Sequence, residues 1–201
     1  MNTTSLIQPT TLAGQHVELV PLSVDHIDDL VLAVRDGNLW QLWYTSIPCP
    51  ERMEREVERR LALQAACSML PFTVIDRPRG RVVGMTTFMN IEVAGPRVEI
   101  GSTWYAKSVQ RTALNTEAKL LLLTHAFDHL DCLAVEFRTH FFNHQSRRAI
   151  ERIGAKLDGV LRSQLRMADG TLRDTCVYSI IASEWPTVRS HLLWKLQQQN
   201  F

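Results

Sequence analysis

The chain has 201 residues, 45% of them hydrophobic and 21% charged, and its 22 Lys and Arg against 21 Asp and Glu leave a formal net charge of +1. A chain of this length buries roughly 70% of its unfolded surface, and its composition is that of a soluble globular domain, which excludes a disordered, fibrous or membrane-embedded protein. The near-zero charge excludes a global field that would gather nucleic acid or anionic lipid, so any anion site has to be local.

Cys49, Cys67, Cys132 and Cys176 are widely spaced and form no Cys-x-x-Cys pair. They read neither as a disulfide framework nor as a zinc site, and a reducing cytoplasm is the expected location. The amino terminus lacks the basic start and apolar run of a signal peptide, and no stretch approaches the ~18 apolar residues of a membrane helix.

Residues 1–15 read as a polar tail and 16–201 as a single domain. Residues 16–22 alternate like a half-buried strand, and Ser23 stands as N-cap before a helix over 25–34 that should stop at Asp36-Gly37. After the break at 47–50, residues 51–67 are helical, with Met53, Val57 and Leu61 on one stripe. Glu56 and Arg60 form an i,i+4 pair on what reads as a solvated face.

Three strands, 70–76, 81–92 and 97–106, come next as an antiparallel meander joined by turn residues at 77–80 and 93–96. Residues 116–130 carry apolar side chains on more than one stripe, which predicts a helix buried on most sides across a sheet. A strand over 134–141 succeeds it, then a helix over 144–153 stopped by Gly154, and a hairpin of 157–167 with 172–181 about Asp169-Gly170. A last helix spans 184–199, with Pro186 in its tolerated first turn. The whole is a mixed α/β domain around one sheet.

The stretch from Trp104 to Ala118 carries the most chemistry, because a strand runs through a short polar loop straight into the buried helix. A helix amino terminus offers unpaired N–H groups and a positive dipole end to an anion, and Lys107 and Arg111 would strengthen it. The plainer alternative is that Asn115 or Thr116 caps the helix, with Glu117 favourable in its first turn.

This loop resembles the acetyl-CoA pyrophosphate loop of the GNAT N-acetyltransferase superfamily, and Gln110-Arg-Thr-Ala113-Leu-Asn115 lies on the family's Gln/Arg-x-x-Gly-x-Gly/Ala signature. Thr116-Glu117-Ala118 is similar to the sequence found next in the ribosomal-protein N-acetyltransferase branch. Ala113 and Asn115 replace the glycine and the small residue of the signature; Ala keeps a small side chain but not glycine's backbone freedom. The segment from Asn143 through Gly154 and the Leu157-Asp-Gly159-Val run resemble the family's later helix and strand.

The resemblance implies a GNAT-type α/β (α+β) fold, with a mostly antiparallel mixed sheet of about seven strands and helices on both faces. It implies an N-acetyltransferase that uses acetyl-CoA as co-substrate and passes the acetyl group directly to a primary amine, either a protein amino terminus or a small molecule. A CoA-binding or ligand-sensing module without turnover is the alternative. The cofactor-binding set implied is Trp104, Tyr105, Gln110, Arg111, Thr112, Ala113, Leu114, Asn115, Thr116 and Asn143. Glu99 is the candidate base, against an exposed strand glutamate.

Ile150 stands where the family often has an acidic tyrosine, so Ser146 becomes the candidate acid, against a role in helix capping. Trp40, Trp43 and Tyr44 fall on the acceptor-binding segment, with core packing as the rival. His140 and His144 read as polar surface or acceptor-pocket residues. His125 and His129 share a helix face but lack the Glu of an HExxH pattern and a third ligand, so no metal is expected. The expected partners are acetyl-CoA and an amine, with no nucleic acid and no membrane; a homodimer is compatible with this.

Overall fold

A computed structural model describes residues 8–198. Strands β1 (Leu12–Ala13) and β2 (Val17–Pro21) lead into helices α1 (Ile27–Arg35) and α2 (Met53–Ala65). The meander β3 (Met69–Asp76), β4 (Arg81–Glu92) and β5 (Arg97–Tyr105) precedes α3 (Ala113–Thr124), β6 (Ala134–His140) and α4 (His144–Arg152). The hairpin β7 (Lys156–Arg166) and β8 (Leu172–Ile181) is succeeded by α5 (Trp185–Gln198).

Among the described residues the strands form one eight-stranded sheet in the order β1-β2-β3-β4-β5-β6-β8-β7, antiparallel everywhere except the β5/β6 pair. One strand more than expected is present because Leu12 and Ala13, inside the segment read as tail, pair with Leu19 and Glu18. Residues 1–7 of that tail and Gln199 at the end of the last helix lie outside the described residues.

Neighbouring strand residues point to opposite faces, and the two threonines at the centre of β4 show which helices lie on which side. Arg60 of α2 donates from Nη1 to Thr87 Oγ1 at 2.9 Å. Lys119 of α3 reaches Thr103 Oγ1, which lies 2.7 Å from Thr86 Oγ1. Helices α2 and α3 therefore cover opposite faces. The core runs through both layers, with Phe72, Phe88, Leu122, Phe137 and Tyr178 among its buried side chains.

Several helix boundaries differ from the sequence reading: the helix expected over 51–67 is an α-helix only over Met53–Ala65, behind a 3-10 turn at Pro50–Arg52, and the one expected to run to 130 becomes π-helical over His125–His129. Ser23 caps a short 3-10 turn over Val24–His26 before α1, and α3 begins at Ala113, ahead of the expected start at Thr116. Thr112, not Asn115 or Thr116, caps α3: its Oγ1 accepts the Leu114 N–H at 3.3 Å and donates to Val109 O at 2.7 Å. Glu117 consequently lies beyond the first turn, and its buried carboxylate accepts the N–H groups of Gln15, His16 and Val17 at 2.8, 2.6 and 2.9 Å. It fastens the strand entry rather than a helix dipole. A Cβ on Gly14 would sit 2.3 Å from the Glu117 carboxyl carbon, so the chain there needs glycine.

Candidate active site

Strands β5 and β6 pair over only three positions, Arg97↔Ala134, Val98↔Val135 and Glu99↔Glu136. Beyond Glu99 the two strands part, leaving the facing backbone edges of residues 100–105 and 137–140 without sheet partners. An interior strand edge with free N–H and C=O groups can bind an extended, amide-bearing molecule as a further strand would bind.

The parting coincides with a bulge in β5. Opposite Thr86 alone stand both Ser102 and Thr103, and Ser102 adopts a left-handed φ of 48°; such a bulge bends a strand and re-aims the residues after it. Arg60 holds the bend by donating from Nη2 to the Ser102 carbonyl at 3.1 Å, while its Nε binds Glu56 Oε1 at 2.7 Å. Arg60 is only 2% exposed. The Glu56/Arg60 pair thus forms as the spacing suggests, but Arg60 works inside the protein and not on a solvated face.

At the vertex of the cleft stands Glu99, 5% exposed, so the exposed-glutamate alternative fails. Its carboxylate accepts from Asn90 Nδ2 at 2.6 Å and lies 3.6 Å from Arg138 Nε. Burial pushes its pKa up against the pull of Asn90 and Arg138, which makes it a stronger base than a surface carboxylate. Glu99 pairs across to Met89, two residues from Thr87, so it opens on the α2 face.

On that same face, at the end of β6, Trp43 and Tyr44 gather around His140, with ring centroids 5.0 and 6.3 Å from it. Phe142 adds a further wall, 6.0 Å from Trp43. Trp43 is 54% exposed, whereas Trp40 is partly buried and packs against the core. His140 is buried, which rules out a surface role; its Nδ1 accepts the Phe142 N–H at 3.1 Å, so the proton sits on Nε2, which has no partner. Burial holds the ring below its ordinary pKa.

The loop leading into α3 is tied at both ends. Asp36, after α1, accepts the Ser108 N–H at 3.0 Å, and hydrogen bonding to Ser108 lowers its pKa. Gln110 donates to the Tyr105 carbonyl at 3.0 Å and accepts from Gln145 Nε2 of α4 at 3.1 Å, which joins the β5 and β6 sides across the open end of the cleft. Arg111 sits at a left-handed φ of 64°, and Asn115 is inside the helix. A hollow of about 90 Å³, with His16, Arg79, Thr112 and Ala113 in its wall, opens against the first turn of α3. Asp76, paired with Arg79, also lines it, whereas Lys107 and Arg111 are exposed in the loop before the helix and are not in its wall.

Helix α4 starts with Asn143, whose Oδ1 accepts the Ser146 N–H at 3.0 Å. Asn143 thus caps the helix and keeps its amide NH₂ to donate, while Ser146 is half-buried in the first turn with its hydroxyl free of the cap. Tyr178 of β8 anchors α4 by donating to Glu151 at 2.9 Å and accepting from Arg147 Nε at 3.0 Å. Ile150 is buried.

Besides His140 Nε2, four buried polar groups on the elements about the cleft lack an adequate partner. Among the described residues Trp104 Nε1, Tyr105 OH and Thr116 Oγ1 find none, and burial raises the Tyr105 phenol. The fourth is Lys119, which sequence reasoning misses; no signal in a helical lysine marks it as buried. Among the described residues no group of three or more metal-ligating side chains assembles, and no helix is long and apolar enough to cross a membrane.

A family model described as "Acetyltransferase (GNAT) domain" matches residues 16–156. The chain is 32% identical over 106 residues to "Putative ribosomal N-acetyltransferase YdaF" of Bacillus subtilis (strain 168), a match covering 53% of this chain and 57% of that protein. It thus spans little more than half the length of that relative. A GCN5-related N-acetyltransferase from Brucella melitensis superposes with a TM-score of 0.84 at 29% identity, over 94% of this chain and 86% of the other. Mycobacterium smegmatis RimJ in complex with CoA-disulfide shares the fold, with a TM-score of 0.79 at 22% identity over 93% of this chain and 95% of that one.

Proposed function

The chain belongs to the GNAT acetyltransferase family, and we propose on that premise that it moves the acetyl group of acetyl-CoA directly to a primary amine, with residues 16–201 working as one catalytic domain. The observation that carries this reading is the cleft itself. Two strands part just beyond a buried, basic carboxylate, and the open end of the gap, bridged by Gln110 and Gln145, lies beside the loop that enters α3, which carries the exposed Lys107 and Arg111. An amide-bearing arm fits free strand edges, and a diphosphate fits first-turn N–H groups. The orphaned donors of Trp104, Tyr105 and Thr116 and the free amide of Asn143 also suit such a ligand, and the RimJ structure holds a CoA derivative on the same fold.

In this reading the amine lies on the α2 face, between Glu99 and the wall of Trp43, Tyr44 and Phe142. Glu99 takes the amine proton directly or through one water as nitrogen attacks the thioester carbon. The carbon–sulfur bond then breaks beside Ser146, whose hydroxyl donates to the departing sulfur. Holding the two reactants in line supplies much of the rate enhancement. A peptide α-amine, with a pKa near 8, needs less help from a base than a lysine near 10.4.

The test incubates the protein with acetyl-CoA and a panel of small amines and peptides with free amino termini, reading thiol release. Acceptor-dependent release supports transfer, and peptide selectivity identifies the ribosomal-protein-like class. Ala113 and Asn115 in the signature favour the second reading, a CoA-binding module without turnover; calorimetric binding of acetyl-CoA with no thiol release establishes that one. Absence of binding refutes both.

A further inference from the structure

Lys119 stands in the second turn of α3 with its side chain directed at the sheet and only 7% exposed. Its Nζ lies 3.3 Å from Thr103 Oγ1 of β5 and 6.0 Å from the centroid of the Phe137 ring of β6. Those two residues belong to the strands after they have parted, so the amine occupies the floor of the cleft from the α3 face. Glu99 addresses the same gap from the α2 face. One base and one amine thus face the opening from opposite sides of the sheet.

The position is not explained by packing. A methionine would fill the same volume without burying an amine, and among the described residues the one hydrogen-bond acceptor of Nζ, Thr103 Oγ1, is shared with Thr86. The polar seam continues around it. Thr116, one turn earlier on α3, and Tyr105, two residues on from Thr103, both bury hydroxyls that have no partner. A run of under-satisfied polar groups along an opening between strands indicates a seam kept for a ligand rather than for stability.

We propose that the Lys119 ammonium is the group that protonates the departing thiolate. The inference rests on the acetyl-transfer reading and adds to it the source of the second proton. Nitrogen of the acceptor bonds to the thioester carbon and gives its proton to Glu99. The carbon–sulfur bond breaks, the sulfur keeps the electron pair, and Nζ–H passes a proton to it, leaving a neutral lysine that regains its proton from solvent. A serine hydroxyl can steady the sulfur by a hydrogen bond, but it is a far weaker acid than a thiol and so does not supply the proton.

The surroundings suit an amine that gives up a proton. Among the described residues no carboxylate pairs with Nζ, and burial brings its pKa down to about 7, below the ~8.5 of a thiol. Thr86 of β4 and Phe137 of β6, which face it, are uncharged. On β5 the nearest titratable side chain of that face is the Tyr105 phenol. On α3 itself Glu117 is committed to the Gln15–Val17 amides. From α5, which packs on α3, come Arg189, paired with Asp128, His191, against the Arg152 carbonyl, and Lys195.

The experiment compares wild type with Lys119→Met, using acetyl-CoA and an amine that the panel identifies as an acceptor. The variant should lose roughly 10²-fold in kcat, the usual contribution of a positioned acid, with KM for acetyl-CoA within threefold. Wild-type kcat should fall as pH rises above about 7, and this alkaline limb should be absent in the variant. A variant kcat within threefold of wild type overturns the proposal, as does a wild-type kcat that keeps rising through about pH 9, a result that does not depend on the variant folding. Either leaves the acetyl-transfer reading standing. Acetyl-CoA binding without thiol release from any amine in the wild type overturns that reading and the proposal with it.

Discussion

Replacing Lys119 by Met should make the protein more stable, and the gain should depend on pH. In the unfolded chain a lysine holds its proton up to about pH 10.4, whereas in the fold burial brings its pKa down to about 7. Between those values the unfolded state binds more protons than the folded one, so stability rises with pH across the window. Below the folded pKa both states are charged and the penalty of burying the ammonium is complete. Above pH 10.4 both are neutral and the penalty is gone.

At 1.36 kcal/mol per pKa unit the full penalty is roughly 5 kcal/mol. Methionine removes it and forfeits only the long bond to Thr103, about 1 kcal/mol. Water entering the cleft would reduce the difference, so a gain of about 2–4 kcal/mol is expected near neutral pH. Urea denaturation at pH 6, 7.5, 9 and 10 would measure it: wild type should gain stability along the series relative to Lys119→Met, and the two should converge at the top. Parallel curves, or a variant less stable than wild type throughout, would refute the claim that a destabilised amine is buried there. A variant that is more stable and slower would mark the lysine as a group retained for function at the expense of stability.

Three other outcomes are expected. Glu117→Ala leaves three backbone N–H groups without their carboxylate and should destabilise the fold by about 3 kcal/mol; hydrogen exchange should show lost protection at Gln15, His16 and Val17, and unchanged protection would contradict the fastening role. Glu99→Gln should lower kcat/KM and flatten the acid limb of the pH profile. That limb in wild type should lie above the ordinary carboxylate range, because burial raises the Glu99 pKa and activity requires its unprotonated form. Arg111→Ala and Asn115→Ala should each weaken acetyl-CoA binding by calorimetry while Ser146→Ala lowers turnover more than affinity; unaltered affinity in both loop variants would move the diphosphate elsewhere.

Much of the architecture is legible locally. Strands β3 to β5 announce themselves by β-branched and aromatic runs between turn residues, and Asp169-Gly170 closes the last hairpin as its chemistry requires. The start of α3 is ambiguous in sequence because Asn115 and Thr116 are as good caps as Thr112; only the Thr112 hydroxyl bonds to Val109 and Leu114 decide among them. Leu12 and Ala13 carry too little pattern to show a strand, and they become one because β2 offers an edge.

The order of elements and the loop signature determined the family and the candidate set from Trp104 to Asn143, since both are written in consecutive residues. Only the tertiary structure decided which charged side chains lie inside. Arg60, Glu117 and Lys119 occupy ordinary helical positions, and nothing in their neighbours along the chain distinguishes them from solvated residues. Their burial comes from the partners they meet: the bulge at Ser102, the amides of Gln15–Val17 and the gap between β5 and β6. These partners lie 16 to 102 residues away in sequence. Periodicity reports which face of a helix is apolar, but desolvation and hydrogen bonding are settled by the groups that pack against that face, and those are fixed only when the whole sheet has formed.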